Sequence, residues 1–411
     1  MLEIAAGCLV VTALLAYLNQ RFVGLPTAIG VMAAALAISL ALLGLNALGV
    51  GQATRSYVDA LLRSIEFSSV LMQGMLSLLL FAGALHVDLD ELKAYRWQVG
   101  WLAFVGTVVS TVVVGVAMWL LLPWVDVPLP LLHCLLFGAL ISPTDPIAVM
   151  GILKSAQAPA NVEMVIEGES LFNDGVGVVL FSLLLATLVS GAAPTLGGSL
   201  LLLVREAGGG IAFGLALGWV TYRLLKSIDQ YQVEVLLTLA AVTGGYAVAN
   251  HLHVSGPLAM VVAGVMIGNR GRALAMSDTT RRYVDMFWEL LDEILNAVLF
   301  VLLGLEVLLV HFTPALLAAG ALAIAVALSA RLASVGLPVG LLRQVFKLPA
   351  GSWRVLTWGG LRGGISVALA LSLPIGGMRD TVLALTYCVV VFAILVQGLT
   401  IGPLVRRVCS A

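Results

Sequence analysis

Three short stretches of this 411-residue chain place polar and ionisable residues inside long apolar runs. The first is Ser142-Pro143-Thr144-Asp145-Pro146. Prolines on both sides of an acid cannot continue a regular helix, because each removes a backbone hydrogen bond and crowds the preceding turn. The carbonyls freed there, with the Thr144 hydroxyl and Asp145 near the breaks, are oxygen ligands for a small cation. The second stretch reads Glu163-x3-Glu167-x-Glu169-Ser170-x2-Asn173-Asp174. On a helix Ser170 and Asp174 share one face, and Glu169 and Asn173 the adjoining one. A carboxylate, a hydroxyl and nearby carbonyls form a hard-oxygen site suited to Na+ or Li+, and the same carboxylate can hold a proton instead. One group that takes either a cation or a proton is the minimal chemistry of exchange. Glu163 and Glu167 stand nearer the start of the segment and read as a solvated funnel. The third stretch is Gly359-Gly360-Leu361-Arg362-Gly363-Gly364. Glycines on both sides of a buried arginine predict a second helix break. The guanidinium also needs an acidic partner, and Glu169 is the candidate.

These residues are unusual because of what surrounds them. Hydrophobic residues make up 61% of the chain and charged residues only 10%, against about 25% charged in a soluble domain. The mean hydropathy is +1.09, which one buried core cannot produce. The composition therefore predicts a polytopic membrane protein and excludes cytosolic enzymes and secreted disulfide domains. With 21 Lys and Arg against 22 Asp and Glu, the net charge is −1, so no basic surface for nucleic acid is expected. An ionisable residue at bilayer depth costs about 2.5–3.5 kcal/mol on insertion scales, and such residues mark ion or substrate paths. Cys8, Cys134, Cys388 and Cys409 are scattered, with no Cys-x-x-Cys pair, and read as small apolar fillers. His86, His133, His251, His253 and His311 show no metal spacing and fall mostly near segment ends. No basic region precedes the first apolar run, where Glu3 is the only early charge, so that run reads as a retained span.

A helix needs about 20 apolar residues to cross the hydrocarbon. On that basis thirteen spans are predicted, at 3–19, 25–45, 60–85, 98–122, 131–153, 162–189, 198–224, 233–250, 255–268, 287–310, 314–342, 353–373 and 380–404. Spans and short connections use the whole chain, predicting a single membrane domain over residues 1–411 without a cytosolic regulatory tail. Fifteen of the 21 basic residues then fall in alternate loops, and only Arg55 and Arg379 in the others. Arg63, Arg205, Arg331 and Arg362 lie inside spans. Because cytoplasmic loops retain Lys and Arg, the N-terminus is expected outside and the C-terminus in the cytoplasm. The interrupted fifth and twelfth spans run in opposite directions, which points to an inverted-repeat transporter with its site at their crossing. Gly210, Gly214 and Gly218 form a row that predicts close helix packing. Pro128 and Pro130 precede the fifth span, where their missing N–H groups cost little.

Thr144-Asp145-Pro146, Glu169-Ser170-Leu171-Phe172-Asn173-Asp174 and Gly359-Gly360-Leu361-Arg362-Gly363-Gly364 together resemble the cation:proton antiporter family 1, specifically its NhaP-type sodium/proton antiporters. The resemblance covers nearly the whole chain. It implies an all-α, inverted-repeat, NhaA-like fold of about 13 transmembrane helices with two unwound crossing helices. It implies that Asp174 is the ion- and proton-binding carboxylate, that Ser170 and Thr144 are supporting Na+ ligands, and that Asn173 stabilises the crossing. Glu169 and Arg362 would form a buried structural pair. An Asn173-Asp174 pair, in place of two acids, resembles the electroneutral branch. No cofactor is implied; the partners are Na+ or Li+, H+, membrane lipid and a second copy of the chain. A core (98–189 and 314–404) would move against a dimerisation scaffold (3–85 and 198–310) in the cytoplasmic membrane. Some relatives carry an acid after a Leu-Leu-Phe run in the third span; here Ala82 follows Leu79-Leu80-Phe81. Glu66 cannot substitute, since sixteen helical residues span about 24 Å.

Three rival readings follow from the same residues. An intramembrane aspartyl protease would use Asp145 and Asp174 as acids sharing a proton, but the chain lacks a Gly-x-Gly-Asp motif. A channel needs neither a buried Glu–Arg pair nor inverted breaks. A K+- or other ion-coupled exchanger on the same fold is the closer alternative.

Overall fold

The computed structural model describes residues 2–47, 74–191, 197, 204–309 and 313–409, and among them the chain is helical with no strand. The principal helices are α1 (Leu2–Leu18), α2 (Thr27–Ala47), α3 (Leu76–His86), α4 (Arg96–Val125), α5 (Leu131–Ile141) and α6 (Ile147–Ser155). They continue with α7 (Ala160–Ser190), α8 (Gly209–Leu225), α9 (Tyr231–His251), α10 (Gly256–Met266) and α11 (Asp278–Glu306). The last are α12 (Pro314–Leu341), α13 (Ser352–Trp358), α14 (Gly364–Leu371) and α15 (Gly377–Val408). Six described segments are long and apolar enough to cross a membrane outright: Ala6–Val23, α4, α7, α9, α12 and α15. The chain is a multi-pass membrane protein. Glu66, Arg55, Arg63, His311 and residues 198–203 of the seventh predicted span lie outside the described residues.

Local chemistry sets where helices stop. Ser255, Ser277 and Thr313 accept from the backbone N–H groups of Leu258, Thr280 and Leu316, capping α10, α11 and α12. Gly191 ends α7 with φ at +62°, a conformation that glycine adopts without a Cβ penalty. The cap at Ser277 starts α11 nine residues before the apolar interval expected at 287. Its first turns carry Arg281, Arg282 and Asp285, so an apolar count alone could not detect them.

Packing follows the small residues. α8 lies on α10 through Gly210, Gly214 and Gly218, where an added Cβ would meet Ser255, Ala259 and Ala263. α4 packs along α5 and α12, α3 along α10, α11 along α2, and α12 along α15. Trp288 of α11 is fully buried against Phe81, with ring centroids 4.7 Å apart, and donates to Thr238. One apolar body draws on α2, α4, α5, α7, α11, α12, α14 and α15.

Candidate ion-binding site

Both expected breaks are present. α5 ends at Ile141, residues 142–146 leave the helix, and α6 starts at Ile147. Ser142 N–H still reaches Gly138 O at 3.1 Å, but Pro143 and Pro146 have no N–H to donate. On the other side, residues 359–363 separate α13 from α14. The two non-helical segments cross, and Asp145 N–H donates to Leu361 O at 2.8 Å. Arg362 Nη1 donates to Ser142 O and, at 2.9 Å, to Pro143 O. The guanidinium thus satisfies carbonyls freed by the prolines, which in lipid would otherwise lack partners. A Cβ on Gly363 would overlap the Asp145 carboxylate, so only glycine permits this approach.

Three of the expected site residues meet directly. Thr144 N–H donates to Asn173 Oδ1 at 3.1 Å, and Asn173 Nδ2 donates to Thr144 Oγ1 at 2.8 Å. Thr144 Oγ1 and Ser170 Oγ share a hydrogen bond of 2.9 Å. Asn173 therefore ties the loop at Thr144 to α7 through main chain and side chain together. Asp174 sits one turn beyond Ser170 and is 6% exposed. It lines a cavity of about 80 Å³ with Thr144, Asp145, Asn296 and Ser366. Its electrostatic neighbour there is the half-buried Asp145. The donor set is two carboxylates and adjacent hydroxyls, all hard oxygen, which suits a small monovalent cation. Ala82 is buried.

The expected Glu169–Arg362 pair is not formed. Glu169, 1% exposed, pairs with Arg331 of α12, whose Nη2 reaches Oε2 at 2.9 Å while Nη1 bonds Oε1. Arg331 also donates to Leu356 O from Nε at 3.3 Å and from Nη2 at 3.1 Å, near the end of α13. The correction has a simple cause: Arg362 finds two main-chain acceptors at the crossing, so it does not need the acid. Arg331 divides its donors between the Leu356 carbonyl and the Glu169 carboxylate.

Sequence reasoning missed three further residues. Arg331 stood inside an apolar run, as Arg362 did, and this shared context was its only signal. Asn296 lines the cavity, and Asp292 one turn earlier on α11 is an electrostatic neighbour of Asp145. Both lie inside the predicted span 287–310, but nothing in their spacing tied them to the site.

Gly363→Ala is expected to cost about 1–3 kcal/mol through overpacking, and to displace Asp145. Gly377→Ala is the control, because nothing lies within 4 Å of a Cβ built there. Thermal unfolding in detergent checks this; equal melting temperatures for the two variants would refute the close approach.

The profile of the family described as "Sodium/hydrogen exchanger, transmembrane" matches residues 10–407. The chain is 53% identical to the Na(+)/H(+) antiporter NhaP of Pseudomonas aeruginosa over 99% of this chain and 97% of that protein. It is 37% identical to the Na(+)/H(+) antiporter NhaH of Halobacillus dabanensis, covering 89% of each. Among solved structures, the sodium proton antiporter MjNhaP1 of Methanocaldococcus jannaschii superposes with a TM-score of 0.77 over 100% of both chains at 21% identity, a likeness of fold.

Proposed function

The chain belongs to the sodium/hydrogen exchanger family, which are transporters and not enzymes, and we propose from that premise that it exchanges Na+ or Li+ for H+ across the cytoplasmic membrane. Asp174 holds cation and proton in competition, with Ser170 and Thr144 as hydroxyl ligands and Asn173 fixing the loop that carries Thr144. The observation behind this reading is the cavity at the crossing, where Asp174 stands beside the Thr144–Ser170 hydroxyl pair. A carboxylate that has released its proton can neutralise one cation; protonated, it has no charge to offer. The two states exclude each other, which couples the flows.

The wider arrangement follows the same reading. Thirteen spans in an inverted repeat place the N-terminus outside and the C-terminus in the cytoplasm. The core of 98–189 and 314–404 carries the site past a scaffold of 3–85 and 198–310, which also forms the dimer. The Glu169–Arg331 pair and the Arg362 cap hold α7, α12 and the crossing together, so the site moves as a unit.

Exchange is electroneutral if Asp145 stays ionised through the cycle, because Asn173 cannot carry a second proton. Asp145 shares the cavity with Asp174, so its charge is the decisive quantity. A membrane potential imposed with valinomycin and K+ on proteoliposomes is expected to leave exchange unchanged at fixed ion gradients. A rate that depends systematically on the potential would show that charge moves and that Asp145 joins the cycle. Challenge of the same vesicles, loaded with a pH-sensitive dye, by Na+, Li+ and K+ in turn separates this reading from a K+-coupled exchanger.

A further inference from the structure

α13 and the last turns of α15 border an open groove of about 540 Å³. Trp353, Arg354, Trp358, Thr400, Pro403 and Arg407 line it, and no acidic side chain does. Arg354 and Arg407 are exposed, and neither takes part in an ion pair among the described residues. The Arg354 guanidinium lies over the Trp353 ring, 5.3 Å from its centroid. A ring beneath a guanidinium steadies the cation while leaving its N–H donors free.

The surface beside the groove changes character along one helix face. Val396, Leu399, Thr400, Pro403 and Arg407 follow one another at helical spacing on α15. Val396 and Leu399 are apolar and 42% and 47% exposed; Arg407 is cationic. An occupant matching this face needs apolar tails, an anionic head and a length of several helical turns. A soluble anion would match only the basic end.

We propose that this groove binds an anionic phospholipid, its phosphate held by Arg354 and Arg407 and its acyl chains lying along Val396 and Leu399. Basic pockets between helices near the membrane surface recognise such headgroups, and the two tryptophans fit the interfacial level. The groove also touches the break. Trp358 is the last residue of α13, its Nε1 donates to Thr400 Oγ1 at 2.8 Å, and its carbonyl accepts from Gln397 Nε2 at 2.8 Å. A lipid seated here braces the half-helix that leads into Leu361 and Arg362.

The test uses the purified full chain in a neutral detergent. Phosphatidylglycerol is expected to raise the unfolding temperature by about 2–4 °C, and phosphatidylcholine to leave it unchanged. Native mass spectrometry is expected to show one fewer bound phosphatidylglycerol in R354Q/R407Q than in the parent. R223Q/K226Q removes the same charge from α8 and should keep both signals. If R354Q/R407Q does not fold, R407Q alone is read and should lose at least half of the thermal shift. An equal shift with phosphatidylcholine, an equal loss in R223Q/K226Q, or full retention in R354Q/R407Q would overturn the proposal. So would an equal shift with inorganic phosphate alone, which would assign the arginines to a free anion.

Discussion

Asp174→Asn is expected to abolish both Na+-driven proton movement and proton-driven Na+ movement in proteoliposomes, while the protein stays folded. The amide keeps the shape of the side chain but can neither release a proton nor neutralise a cation. Asp174 is 6% exposed and makes none of the hydrogen bonds that hold the crossing, so removing its charge leaves the framework intact. Ser170→Ala and Thr144→Ala act on ligands instead of the charge carrier. They should raise the apparent KM for Na+ and leave a measurable maximal rate. Thr144→Ala also breaks the bond from Asn173 Nδ2 and should be the more damaging of the two. Retained exchange with near-normal affinity in purified Asp174→Asn would sink the mechanism, because Asp174 is the group proposed to carry cation and proton in turn.

Glu169→Ala and Arg331→Ala should each destabilise the folded protein by about 3–5 kcal/mol, the typical cost of leaving one charge of a buried pair alone. The pair is bidentate and almost completely enclosed, at 1% and 4% exposure. The double change to Leu and Met should cost far less than the sum, since neither charge then remains. Arg362→Ala belongs to a different class. It deprives two neutral carbonyls of a charged donor, at about 1.5–3 kcal/mol per hydrogen bond to a charged group, and leaves no naked carboxylate. A double-mutant cycle read by thermal unfolding distinguishes the partners. Strong coupling of Glu169 with Arg331, and weak coupling with Arg362, is the expected pattern. Strict additivity for Glu169 and Arg331 would refute the pairing.

The crossing was legible in the sequence because its causes are local. Two prolines around Thr144-Asp145 and the glycines around Arg362 forbid helix wherever the rest of the fold places them. The role of Asn173 at the crossing was legible only through the family resemblance, which did not name Thr144 as its partner. The partner of Glu169 was not legible. Arg331 and Arg362 both stand in apolar runs, and no spacing along the chain says which one faces α7. The choice is made by the carbonyls of Ser142 and Pro143, and the attraction of a guanidinium for free main-chain oxygens has no sequence signature. The polar half of α11 escaped for a third reason. A helix capped by Ser277 and amphipathic over its first turns hides its start from a search for continuous apolar residues, and Asp292 and Asn296, though inside the predicted span, had no spacing that tied them to the site.

Asp145 N–H and Leu361 O are main-chain atoms, so this bond across the two crossing segments is indifferent to the side chain carried at position 361. That divides neighbouring positions into two kinds. Position 361, whose leucine is fully enclosed, should accept other apolar residues of similar volume, because its contribution to that bond is a carbonyl. Position 363 should accept glycine alone, because a Cβ there meets the Asp145 carboxylate. In a saturation library selected for growth in high Na+, adjacent codons would then show opposite permissiveness, broad at 361 and nearly closed at 363. Divergence at position 361 can therefore proceed without loss of the crossing's geometry, provided that Gly363 and Arg362 stay.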